Sequence, residues 1–67
     1  MLSSKAIIRR LHSEGWEKVA QKGSHVQFKH PHRSGRITVP HPQKDFPVGT
    51  LRSIFLAAGW VWPPHRE

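Results

Sequence analysis

The chain predicts an α+β fold, a two-layer sandwich in which two helices cover one face of a three-stranded antiparallel sheet. Three observations point there. Apolar residues recur at helical spacing near both ends, first as Ile7, Ile8 and Leu11, then as Leu51, Ile54, Phe55 and Ala58. In the middle they alternate instead, Val26 with Phe28 and Ile37 with Val39, which is the period of a half-buried strand. Glycine-containing turn signals, Lys22-Gly23 and His32-Arg33-Ser34-Gly35, separate the alternating runs. At 67 residues the chain makes one domain. Folding at this size buries only about 60% of the unfolded surface, so the core is modest.

The first helix enters at Ser3, whose hydroxyl suits an N-cap, with Leu2 and Ile7 at the two positions of a hydrophobic staple. Its apolar stripe is Ile7, Ile8 and Leu11; Lys5, Arg9, His12 and Ser13 take the opposite side, and Arg10 can pair with Glu14. Gly15 ends it as a C′ residue. Strand one is expected over Trp16–Gln21. Trp16 and Val19 are an odd number of residues apart and cannot share a face, so either a bulge intervenes or Trp16 packs before the strand begins.

A hairpin at Lys22-Gly23 leads to strand two, His25–His30. The turn His32–Gly35 then leads to strand three, Arg36–Val39, which Pro40 stops for want of a backbone donor. Residues 41–46 are loop. Pro47 suits the first turn of the second helix, Gly59 closes it, and Leu56 falls off its apolar stripe. The domain is expected over residues 1–59, with 60–67 as a C-terminal tail. Its two tryptophans, Trp60 and Trp62, either fold back on the core or do not.

Charge narrows the function. Eleven Lys and Arg against four Asp and Glu give +7 and a pI of about 11.4. A balance this basic favours a polyanionic partner, nucleic acid above all, with an acidic protein as the other class. The absence of cysteine excludes a disulfide framework, thiolate chemistry and cysteine-based zinc sites. No apolar run approaches a membrane span and no signal-peptide pattern opens the chain, so the cytoplasm is the expected location, with no membrane partner.

The stretch that concentrates chemistry is Lys22–Pro31, KGSHVQFKHP. With Val26 and Phe28 on the core, His25, Gln27 and Lys29 face water, and Arg36 and Thr38 of strand three join them on that outer face. RNA carries its own nucleophile, the ribose 2′-hydroxyl. Cleavage needs a base for that proton, charge stabilisation at phosphorus, and a proton for the departing 5′-oxygen. Imidazole, with a reference pKa of about 6.5, serves as base or acid near neutral pH. Alternation makes Lys22, Lys29, Arg36 and Gln27 the expected RNA contacts around His25.

His41 is the preferred second acid/base candidate, since strand three could return it towards the outer face. His30 and His41, each followed by proline, fit turn or strand-end roles ahead of an acid/base one, and His32 belongs to its turn. No metal site is expected, because His25 and His30 fall on opposite strand faces without a carboxylate or thiolate at ligand spacing. No cofactor is expected either. Ser24 lacks a base and an oxyanion hole and suits a turn role. A non-catalytic module that holds RNA or an acidic protein on the same basic sheet is the alternative reading.

Three segments in order carry a family resemblance: Gly23-Ser24-His25, Thr38-Val39-Pro40-His41-Pro42, and Pro47-Val48-Gly49-Thr50-Leu51-Arg52-Ser53-Ile54. With Gly15-Trp16 and Ala58-Gly59, they resemble the HicA (YcfA-like) family, the toxin half of bacterial toxin–antitoxin pairs, over about residues 3–60. The resemblance implies a fold like the double-stranded-RNA-binding domain and an mRNA interferase, a ribosome-independent, metal-independent endoribonuclease. Its catalytic histidine lies in the Gly-Ser-His segment, here His25. It also implies neutralisation by a HicB-type antitoxin covering the active surface, and contact with operator DNA only indirectly, through that antitoxin.

Overall fold

A computed structural model describes residues 2–64. Helix α1 (Ser4–Ser13) is followed by strands β1 (Glu17–Lys22), β2 (His25–His30) and β3 (Arg33–Pro40), then helix α2 (Val48–Ala58). The strands form one antiparallel sheet in the order β1-β2-β3. This is the predicted α-β-β-β-α sandwich, an arrangement like that of the double-stranded-RNA-binding domain. Residue 1 of the expected domain and residues 65–67 of the expected tail lie outside the described residues.

Local chemistry sets the helix ends. The Ser3 hydroxyl accepts from the Ala6 amide at 3.2 Å, satisfying one orphan donor of α1, and Gly15 takes the left-handed conformation (φ 94°) just past its end. Helix α2 begins one residue later than predicted, with Pro47 as its cap rather than inside its first turn, and ends at Gly59 (φ 78°). Leu56 points outward and is exposed.

The core joins Ile7 and Leu11 of α1 to Leu51, Ile54 and Phe55 of α2, over Val26, Phe28, Ile37 and Val39 of the sheet. Burying each large apolar side chain is worth about 1.5–3 kcal/mol. A one-residue slip of β2 would expose Val26 and Phe28 and drive His25 and Lys29 into the core, so the register that presents His25 to solvent is strongly held.

Three strand and turn expectations are corrected. Lys22 belongs to β1 and not to the turn: it pairs with His25, and the connecting loop is Gly23-Ser24, with Gly23 at φ 58°. The β2–β3 turn is Pro31-His32, and β3 starts at Arg33 instead of Arg36. Ser34-Gly35 lies inside the strand, in an irregularity between the Phe28–Ile37 and His30–Arg33 pairs, where Gly35 adopts φ 83°. Pro40 is the last residue of β3 and pairs with His25, on an edge strand that tolerates a missing donor.

Both explanations offered for Trp16 and Val19 hold at once. Trp16 is buried and precedes β1, while Val19 is the extra residue of a bulge between Lys18 and Ala20 and is exposed. Residues 60 and 62 fold back. Trp60 is buried, its ring edge-on to Phe55 at 5.1 Å, and Trp62 packs against the same core, its ring 5.4 Å from that of Phe55.

Candidate functional site

The outer sheet face is built of cross-strand rows. Lys22, His25 and Pro40 form the first, Ala20, Gln27 and Thr38 the second, and Glu17 opposite Lys29 the third. Directly opposed residues hold their Cβ atoms about 4.5–5.5 Å apart, so Lys22 is the immediate cationic neighbour of His25. The His25 ring stands in solvent. Arg36, two residues before Thr38 on β3 and so nearer the Lys29 end, reaches back to donate from its guanidinium to Gln27 Oε1 at 2.7 Å, which fixes both side chains and leaves the Gln27 amide hydrogens free to donate. Lys29 lies four residues from His25, roughly 13 Å along the strand. The sheet therefore sets Lys22 beside His25 and Gln27 in the next row, with Arg36 reaching Gln27 from the far end, where Lys29 stands opposite Glu17.

His41 does not face this surface, as a second acid/base group would have to; it sits at the strand end. It follows Pro40 by one residue and so turns to the helix side, where its Nδ1 lies 2.7 Å from the buried Ser4 hydroxyl. Ser4 Oγ also accepts from the Gln43 amide at 2.8 Å, so its own proton is available to His41 Nδ1. The Ser4 amide in turn donates to the Gln43 carbonyl at 2.8 Å, and the His41 amide to the Ser24 carbonyl at 2.6 Å. These bonds tie the 41–46 loop to the start of α1 and to the hairpin that carries His25. Ser24 acts here through its carbonyl. Ser4 went unnoticed in the sequence because a serine beside an N-cap serine looks like ordinary capping, and only its burial betrays the second role.

His30 is held as a structural group. Its Nδ1 accepts from the His32 amide at 3.0 Å, so Nε2 carries the proton and donates to the Glu14 carbonyl at 2.9 Å. Its ring also meets Trp16 edge-on at 5.3 Å. Among the described residues, no group of three His, Cys, Asp or Glu side chains comes together as metal ligands would.

Among the described residues, the acidic side chains sit mostly away from the His25 row. Glu14 accepts from Trp60 Nε1 at 2.7 Å and from Arg10 Nε at 3.2 Å. The indole hydrogen bond, helped by Arg10 and the charge of Arg33 and opposed by burial, holds its carboxyl below the usual range. Asp45 accepts from the Phe46 amide. Glu17, opposite Lys29, is the carboxylate on the outer face of β1. The His25 end of that face is left cationic, a surface that can attract phosphate and place an imidazole against it. No helix among the described residues is long and apolar enough to cross a membrane.

Comparison with known proteins agrees with this architecture. A family model described as HicA toxin of bacterial toxin–antitoxin matches residues 4–60, from the first residue of α1 to the buried Trp60. No curated protein matches the chain. With the match covering nearly all of its length, the chain belongs to the HicA toxin family of bacterial toxin–antitoxin systems.

Proposed function

We propose that this toxin is an mRNA interferase, a metal-independent endoribonuclease in which His25 moves the proton of the ribose 2′-hydroxyl. The observation that carries the reading is the exposed His25 imidazole on a cationic sheet face, with Lys22 directly opposite and Gln27, held by Arg36, in the next row.

The chemistry follows from the substrate. His25 takes the 2′-hydroxyl proton, the 2′-oxygen attacks phosphorus, and the bond from phosphorus to the 5′-oxygen breaks. A 2′,3′-cyclic phosphate and a 5′-hydroxyl result, the latter after the leaving oxygen gains a proton. Lys22 offsets charge on the phosphate as the attack proceeds, and Arg36 and Gln27 hold the neighbouring nucleotide. One general acid/base contributes about 10²–10⁴-fold, so the enzyme is slow by the standards of two-histidine nucleases. Lys29 meets phosphate further along the strand. His41, bonded to Ser4 on the helix side, acts as a positioning residue for the His25 hairpin. The partner that silences the toxin is a HicB-type antitoxin covering the outer face, and operator DNA is reached only through it.

Expression in bacteria tests the proposal. Wild-type protein alone should arrest growth, the cognate antitoxin should restore it, and His25→Ala protein at equal soluble level should leave growth normal. Arrest by His25→Ala equal to that of wild type would contradict the catalytic role and favour a module that only binds RNA or an acidic protein.

A further inference from the structure

The sheet is wider than the helices that cover it. All six residues of β1 are exposed, although Lys18 and Gln21 share the helix-side face with Phe28 and Val26, the core residues they pair with. Residues three apart in a regular strand point to opposite faces. The bulge at Val19 cancels that offset, and Lys18 Nζ donates to Gln21 Oε1 at 2.7 Å. β1 therefore carries a polar row on each of its two faces.

Helix α1 supplies the other wall. Lys5, Arg9 and His12 stand on one flank at i, i+4 and i+7, and all three are exposed. The His12 ring meets Phe28 edge-on at 5.6 Å, and Phe28 is the cross-strand partner of Lys18. His12, the C-terminal member of that flank, thus stands beside the Lys18 end of the uncovered row of β1. The nearest carboxylate at the end of that helix, Glu14, is engaged with Arg10 and Trp60. The residues of α1 itself, Ser4–Ser13, include no Asp or Glu to oppose an anion in the notch.

We infer that this notch, formed by Lys5, Arg9, His12, Lys18 and Gln21, is a second binding surface for the phosphate backbone of the RNA whose cut site lies at His25. Charge complementarity selects a polyanion, and topology connects the two surfaces. β1 is an edge strand with Lys22 on its outer face and Lys18 on its helix-side face, so one nucleic-acid chain can pass round the edge and touch both. The inference rests on the ribonuclease reading and adds to it a preference for RNA long enough to round β1.

The test uses full-length His25→Ala protein, which binds without cutting, and a fluorescent single-stranded RNA titrated at several salt concentrations. Arg9→Ala/Lys18→Ala in that background should lower the slope of log K against log salt by about 1.4, since each phosphate that a cation neutralises on a single strand contributes about 0.7. Both side chains are exposed, and the charge-preserving pair Arg9→Lys/Lys18→Arg should retain the original slope. An unchanged slope in the alanine variant overturns the inference and leaves the notch to an acidic protein. Failure of the parent His25→Ala protein to bind RNA at all would overturn the ribonuclease reading along with it.

Discussion

Replacing Trp60 by alanine should bring this domain close to unfolding. The side chain is only 6% exposed, meets Phe55 edge-on, lies under the Arg10 guanidinium at 4.1 Å, and donates to Glu14 at 2.7 Å. Trp→Ala in a core costs about 3–5 kcal/mol. A domain of this size has a total stability of roughly 3–10 kcal/mol at ordinary stability per residue. One substitution beyond the end of α2 therefore removes a large part of the whole. Trp60→Phe separates the contributions, because it keeps an aromatic ring against Phe55 and loses the indole donor. Its effect on the hydrogen bond should be about 1 kcal/mol, below the roughly 1.5–3 kcal/mol usual for a bond to a charged group, because the Glu14 side chain is 39% exposed. Urea denaturation followed by fluorescence of the remaining tryptophans, with the slope checked for constancy, measures both. A Trp60→Ala midpoint equivalent to less than about 0.5 kcal/mol from wild type would refute the reasoning, since that is the scale of a surface substitution.

Two further perturbations address the supports of the site and the charge at Glu14. Ser4→Ala should cost about 1–3 kcal/mol, because it strands the Gln43 amide and frees His41, and thermal melting should show it; a change below about 0.5 kcal/mol would mean the loop is held otherwise. Glu14 has a carboxyl pKa below its ordinary value, first through the Trp60 hydrogen bond, so its stabilisation is complete above the unfolded value of about 4.3 and is lost as pH falls through the folded one. Glu14→Gln should therefore lose less stability than wild type between pH 6 and pH 3, and equal acid losses would contradict the assignment.

The fold was largely legible because its signals are periodic. Alternation of Val26 with Phe28 and of Ile37 with Val39 set the sheet faces, and the structure keeps His25, Gln27, Lys29, Arg36 and Thr38 together outside, as that alternation requires. Turns were harder, because glycine marks a positive φ without saying what uses it. Gly35 looked like part of a turn and proved to be a strand irregularity, with Pro31-His32 making the turn. The outer-face option for His41 fails by a single residue of phase: Pro40 takes the outer position beside His25, which sends the next side chain to the helices. Trp60 was undecidable from local pattern, since its partners Glu14 and Arg10 lie 46 and 50 residues earlier in the chain.

Cleavage of a labelled RNA by purified wild-type and His25→Ala protein, with EDTA present, decides whether His25 carries a metal-independent cleavage. A matched substrate carrying a 2′-deoxy residue at the cut site runs beside it. The account predicts cutting by wild type alone, with a 2′,3′-cyclic phosphate product and no cutting of the deoxy substrate. Equal cutting by His25→Ala protein, or cutting of the deoxy substrate, would contradict it.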